Sequence, residues 1–278
     1  MHRAWAAATL VAIGRDRAGD PERPVLIEGA LALASHSLPT IDPAPYRRHV
    51  GELAAAAERA LGRRDNVLAR RDALHAALVA ANGYQGDRLD YDNLDNANLF
   101  RVIDRRRGLP VALAILCVGV GRALGWHTAG IAFPGHVLVQ IEHGGERRIL
   151  DPFDNLRSLG APALRHLLKR VAGPDAELQG GHYADVSDRD LLLRLESNRK
   201  LRLMAQGRLA EALDALAAMR MLAPSDPDLW RETGVLHAQV GNLAEAAEAL
   251  EHALDLGDDA ATRQAAADLL DQIRGHLT

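Results

Sequence analysis

The chain has 278 residues, 33 Lys plus Arg against 37 Asp plus Glu, and one cysteine. A single Cys excludes an intrachain disulfide scaffold and a multi-cysteine zinc site. The net charge of −4 gives no general attraction to nucleic acid or anionic lipid, and no run reaches the ~18 apolar residues of a membrane span. Fifty residues are Ala, and Lys169 and Lys200 are the only lysines. Ala periodicity is therefore a weak signal in this chain.

Residues 1–23 open with His2–Arg3 and an apolar stretch to Ile13, a faint likeness to a secretory leader. The stretch is Ala-heavy, runs into Arg15-Asp16-Arg17 and lacks a convincing cleavage site. It is expected to be a loose tail or a first element. Residues 24–38, 43–62 and 65–81 read as helices, the second started by Asp42-Pro43 and stopped by Gly62. Residues 83–98 are rich in Gly, Asp and Asn and read as a loop, and helix returns at about 96–107.

The middle changes character. Residues 110–124 are apolar nearly all round, which predicts a central buried helix. Three strands are expected at 127–133, 136–142 and 146–150, the last two joined by Gly144-Gly145 as a two-residue hairpin turn. A helix at 161–171 and a linker to about 187 follow.

The last third repeats itself. Gly207–Leu216 recurs as Gly241–Leu250 with seven of ten positions identical at an offset of 34. That period belongs to tetratricopeptide repeats, stacked pairs of antiparallel helices. Lys200 stands where the first repeat expects a small residue, so its first helix is atypical. Residues 259–275 would cap the stack.

His136 and Asp151 are the candidate reactive pair. With the turn centred on Gly144-Gly145, cross-strand partners sum to 289, so Asp151 faces Leu138 and becomes a same-face diagonal neighbour of His136. A carboxylate within reach of an imidazole is the base-orienting half of a catalytic triad. Against this stands a structural reading, with His136 a satisfied histidine and Asp151-Pro152 a strand stop.

Gly108–Ala114, then Phe133-Pro134-Gly135-His136, then Ile149–Phe153, resemble the SirB-type bacterial proteins, in which a transglutaminase-like domain precedes tetratricopeptide repeats. The resemblance covers about residues 24–275. It implies an α+β fold: a helical N-terminal part, a papain-like core with a central helix on a small antiparallel sheet, then an all-α repeat module. The expected division is 1–23, 24–185 and 186–278. Active enzymes of the superfamily carry a Cys at the head of the central helix, after a Gly, where the helix dipole and the His favour thiolate. Here that position, after Gly108, is Pro110. Cys117 lies seven residues on, about 10 Å along the axis, beyond the ~3 Å reach a nucleophile needs.

The expectation is a non-catalytic, cytoplasmic, protein- or peptide-binding factor that retains His136 and Asp151 beside Pro134 and Gly135 and needs no cofactor, metal, nucleic acid or membrane. The alternative is a hydrolase or transamidase using Cys117 with His136 and Asp151. In the repeats, Arg194, Ser197, Asp228, Arg231 and Gln239 are expected to face a concave groove, or the module simply packs on the first domain. Arg105-Arg106-Arg107 is either a solvated helix end or a seat for an acidic group.

Overall fold

The computed structural model describes residues 2–15, 25–257 and 260–277. Five helices and two short strands come first: α1 (His2–Arg15), α2 (Val25–Ser37), α3 (Ala44–Leu61), α4 (Val67–Leu74), β1 (Gln85–Gly86), α5 (Leu99–Arg105) and β2 (Arg107–Gly108). The N-terminal stretch is thus a first element as far as Arg15. α4 runs on into a wider π-helical turn over His75–Ala80. The loop at 83–98 is more structured than its composition suggests. β1 pairs in parallel with β2, and Leu94–Ala97 form a tight helical turn. The helix expected from 96 starts at Leu99 because the Asn98 side chain accepts from the N–H groups of Phe100 and Arg101. It stops at Arg105 because Arg106 turns left-handed, with φ 58°.

α6 (Pro110–Ala123) is the central helix, buried at every position from Pro110 to Gly121. Two glycines let its neighbours close in. A Cβ on Gly119 would stand 2.3 Å from Ile27 of α2. One on Gly121 would stand 2.6 Å from Thr128, whose hydroxyl donates to Val118 O at 3.0 Å.

The sheet comprises β3 (His127–Ile131), β4 (Leu138–His143), β5 (Glu146–Asp151), β6 (Arg157–Leu159) and β7 (Asp185–Val186), in the order β6-β5-β4-β3-β7 and antiparallel throughout. β4 and β5 pair His143 with Glu146 and Val139 with Leu150, the register that the two-glycine turn predicts. β4 begins at Leu138, not at His136, because Pro134-Gly135 makes a turn closed by His136 N donating to Phe133 O at 2.9 Å. β6 and β7 were not foreseen: at three and two residues they are too short for any alternation to register. β7 also turns the end of the expected linker into a sheet edge. α6 packs on one face of the sheet. On the other, Ile131, Phe133, Leu138, Ile149 and Leu159 meet Leu164 and Leu168 of α7 (Ala161–Ala172).

The rest is helical: α8 (Asp188–Ala205), α9 (Leu209–Leu222), α10 (Pro227–Gln239), α11 (Leu243–Leu256) and α12 (Ala260–Leu277). α9 and α11 start and stop 34 residues apart, so the repeat in sequence is a repeat in space. Gly234 admits the next helix closely, since a Cβ there would lie 2.6 Å from Leu250. At the equivalent position Lys200 is buried and ion-paired with Glu232 of α10.

The repeats share the core of the first part. Leu191, Leu192 and Leu195 of α8 and Ala218 and Leu222 of α9 belong to the same buried cluster as α2 and α6. α1 packs on both α2 and α9. The junction holds buried charge: Glu196 pairs with Arg199 at 2.6 Å, and His36 of α2 lies 3.4 Å from Asp214 of α9, which also meets Arg3 of α1.

Candidate functional site

The head of α6, the turn before β4, the end of β5 and the inner side of α7 surround a cleft of about 330 Å³. Its lining includes Pro110, Pro134, Gly135, His136, Asp151 and Phe153. The sequence-predicted residues Pro110, His136 and Asp151 therefore converge. His136 Nε2 donates to Asp151 Oδ1 at 2.9 Å, which leaves Nδ1 as the ring's remaining nitrogen.

The hairpin register brings Asp151 to the sheet edge, and the 133–136 turn swings His136 over it. Gly135 is essential to that turn. Its φ is +70°, and a Cβ would come 2.6 Å from Val171. Asp151 does more than hold the imidazole. Its Oδ1 also accepts from the backbone N–H groups of Phe153 at 3.0 Å and Asp154 at 3.2 Å. One side chain thus both caps the turn after β5 and contacts the imidazole. Burial disfavours the Asp151 carboxylate. The hydrogen bond and charge of His136 and the two backbone donors outweigh it and hold its pKa below the usual range.

Gly108 stands behind the cleft, where a Cβ would meet Val102 at 2.9 Å. A buried knot fixes this strand to the loop. Arg105 Nη2 donates to Asp87 Oδ2 at 2.8 Å and its Nη1 to Asn96 Oδ1 at 3.0 Å. Asp87 N reaches Gly108 O at 3.3 Å, and Leu109 N reaches Asn96 O at 3.1 Å. Arg106 contacts the Tyr84 hydroxyl and ring. So two of the three arginines, Arg105 and Arg106, are engaged within the fold.

Cys117 lies outside the cleft lining. It is fully buried in α6, and burial pushes its thiol pKa to about 12. A thiol in that state is overwhelmingly protonated at neutral pH.

Sequence reasoning missed much of the cleft's outer wall. Arg88 donates to Asp154 at 2.8 Å and lies 5.3 Å over the Phe153 ring. Arg157 pairs with the same Asp154 at 2.8 Å. Tyr91 meets Phe153 edge-on at 5.8 Å. Arg170 comes from α7. Tyr91 fits the family resemblance, and Asp154 and Arg157 could have been flagged by their closeness to Asp151 in the chain.

The predicted repeat residues divide. Arg194 Nη2 lies 3.5 Å from His136 O. Eight residues on along α8, Arg202 donates to Tyr91 O at 3.2 Å. Between α8 and α10 lies a hollow of about 170 Å³, lined among others by Leu201, Met204, Arg231 and Val235. Asp228 accepts from Arg231 Nη2 at 3.1 Å. Arg194, Ser197 and the exposed Gln239 lie outside the hollow's lining. Among the described residues, no group of three or more His, Cys, Asp or Glu side chains could hold a metal ion, and no helix is long and apolar enough to cross a membrane.

Comparison with known proteins agrees with this architecture. Residues 44–197 match the transglutaminase-like superfamily, and residues 200–271 match a tetratricopeptide-repeat family. The molecule is thus a transglutaminase-like domain followed by tetratricopeptide repeats. A UPF0162 protein of Vibrio cholerae is 31% identical over 77% of this chain and 80% of its own length. One of Pseudomonas aeruginosa is 30% identical over 86% and 87%. Protein SirB1 of Salmonella typhimurium is 26% identical over 57% and 59%. The chain belongs to this SirB-type, UPF0162 family. No solved structure matches it.

Proposed function

We propose that this protein is a non-catalytic binding factor, regulatory or scaffolding, that works in the cytoplasm and receives a protein or peptide at the cleft and along the repeats. One observation carries the proposal. The cleft keeps an oriented His136–Asp151 pair, yet at the head of α6 beside it stands Pro110, which has neither thiol nor hydroxyl. The chain's one thiol is sealed in the core. The repeats add a receptive surface, because Leu201 is 57% and Met204 39% exposed beside Arg231. Large apolar side chains left in water in a hollow favour a partner's burial.

Two measurements test this. Iodoacetamide should label Cys117 in the native protein at least a hundredfold slower than a free thiol, with no change in His136→Ala. Fast labelling that depends on His136 would revive the Cys117 hydrolase or transamidase reading. A photo-crosslinker at Leu201 should capture a discrete partner in cells, whereas one at Leu68, exposed on α4, should not. Equal capture at both positions would sink the binding role of the repeats. Cell fractionation checks the location.

A further inference from the structure

The cleft's charge is unbalanced. Its lining holds Arg88, Arg157 and Arg170 against Asp151 and Asp154. Asp154 is shared by Arg88 and Arg157, and Asp151 is engaged by His136 and two backbone donors. Arg170, an exposed residue of α7 on the cleft's lining, has no ion pair among the described residues.

A second positive element comes from beneath. α6 has fourteen residues, begins at Pro110 in the cleft floor, and has no side-chain cap at its N-terminus. The aligned peptide dipoles of such a helix place about half a positive charge at that end. In an active enzyme of this superfamily that field favours a thiolate. Here proline at that position supplies no anion of its own.

The remaining walls are apolar or aromatic. Tyr91 is 45% and Val171 60% exposed, and Phe153 presents its ring between Tyr91 and His136. A guanidinium and a helix N-terminus select a carboxylate, and apolar walls on both sides select the side chains flanking it. A bare inorganic anion would leave those walls in water.

We propose that the cleft receives the carboxylate of an acidic peptide, held between Arg170 and the N-terminus of α6, with the flanking apolar residues of the peptide against Tyr91, Phe153 and Val171. This rests on the binding reading above and names the occupant of its cleft.

The probe is a fluorescein-labelled, acetylated and amidated octapeptide with one central Glu between Leu residues. Its twin carries Gln. With the full chain at low salt, the Glu peptide should bind at least tenfold more tightly than its twin by anisotropy. Arg170→Gln should reduce that ratio to about threefold or less, and thermal melting checks that the variant stays folded. Arg170→Lys, which keeps a charge, should retain part of the ratio. Equal binding of the two peptides, or a ratio unmoved by Arg170→Gln, overturns the carboxylate seat and leaves the binding reading standing. No binding of either peptide at 1 mM overturns the seat as well, while crosslinking from Leu201 still judges the binding reading by itself. Free glutarate competing as strongly as the peptide overturns the peptide as occupant and points to a small dicarboxylate.

Discussion

The cleft and the repeat hollow are two concave surfaces built on opposite principles. In the cleft, each central polar group is fixed by buried partners from distant parts of the chain: His136 by Asp151, and the strand behind them by Asp87, Asn96 and Arg105. In the hollow, Lys200, itself buried, ties α8 to Glu232 of α10, but the contact at the rim is local and wet. Arg231 pairs with Asp228 three residues away, and the two are 33% and 61% exposed. Exposed pairs of this kind contribute about 0–1 kcal/mol. Buried ones cost several kcal/mol when one partner is removed. The cleft is therefore a preorganised site whose residues hold the fold. The rim of the hollow, with Leu201, Met204, Asp228 and Arg231, is an exposed surface whose residues hold little of the fold.

That contrast orders the expected effects of mutation. Asp87→Ala comes first. Asp87 is 2% exposed, and burial alone would raise its pKa. The Asp90 backbone N–H, Asn96 and Arg105 more than offset that and keep it ionised. Its loss leaves Arg105 facing an empty pocket and frees the strand before Pro110. The expected cost is about 3 kcal/mol, read from urea denaturation at neutral pH. A loss under about 1 kcal/mol would mean that the cleft is no more fixed than the hollow.

Asp151→Asn comes next, with a pH signature that separates charge from packing. The folded pKa of Asp151 lies below its unfolded value. Its contribution is therefore present above the unfolded pKa of about 3.9 and fades as pH falls through the folded value. At pH 7 the variant should lose about 1–3 kcal/mol. Below about pH 4 the gap between variant and wild type should narrow. A gap constant from pH 7 to pH 3 would show that the carboxylate charge plays no part. Gly135→Ala should cost a further, smaller amount of about 1–2 kcal/mol. It forces a Cβ into a left-handed backbone and against Val171.

What could be read in advance follows the same division. The β4–β5 register was legible because Gly144 and Gly145 take φ values of 59° and 81°, which a two-residue hairpin turn requires. The repeat was legible because each 34-residue unit makes the same local contacts. The outer cleft was not. Arg170, Arg88 and Tyr91 reach it from α7 and a loop whose positions depend on tertiary packing, and no periodicity links them to His136. Arg194 shows the limit from the other direction. Its repeat position suggests groove lining, but α8 is buried against α2 and α6 on its neighbouring face. That turns Arg194 toward the His136 carbonyl, where burial lowers its guanidinium pKa.

The smallest expected effect on stability is also the most discriminating. Arg231→Glu places a like charge beside Asp228 and Glu232 on an exposed helix face. By the rule for surface substitutions it should shift unfolding free energy by no more than about 0.5 kcal/mol. Its effect on binding should be much larger, because Arg231 lines the hollow beside Leu201 and Met204 and reversal of its charge would oppose any acidic partner group there. Crosslinking yield from Leu201 should therefore fall at least severalfold at unchanged melting temperature. If yield and stability fall together, the hollow is part of the fixed core after all and its difference from the cleft disappears. If neither moves, the hollow's apolar residues bind alone, and Met204→Ser becomes the variant that should abolish capture from position 201.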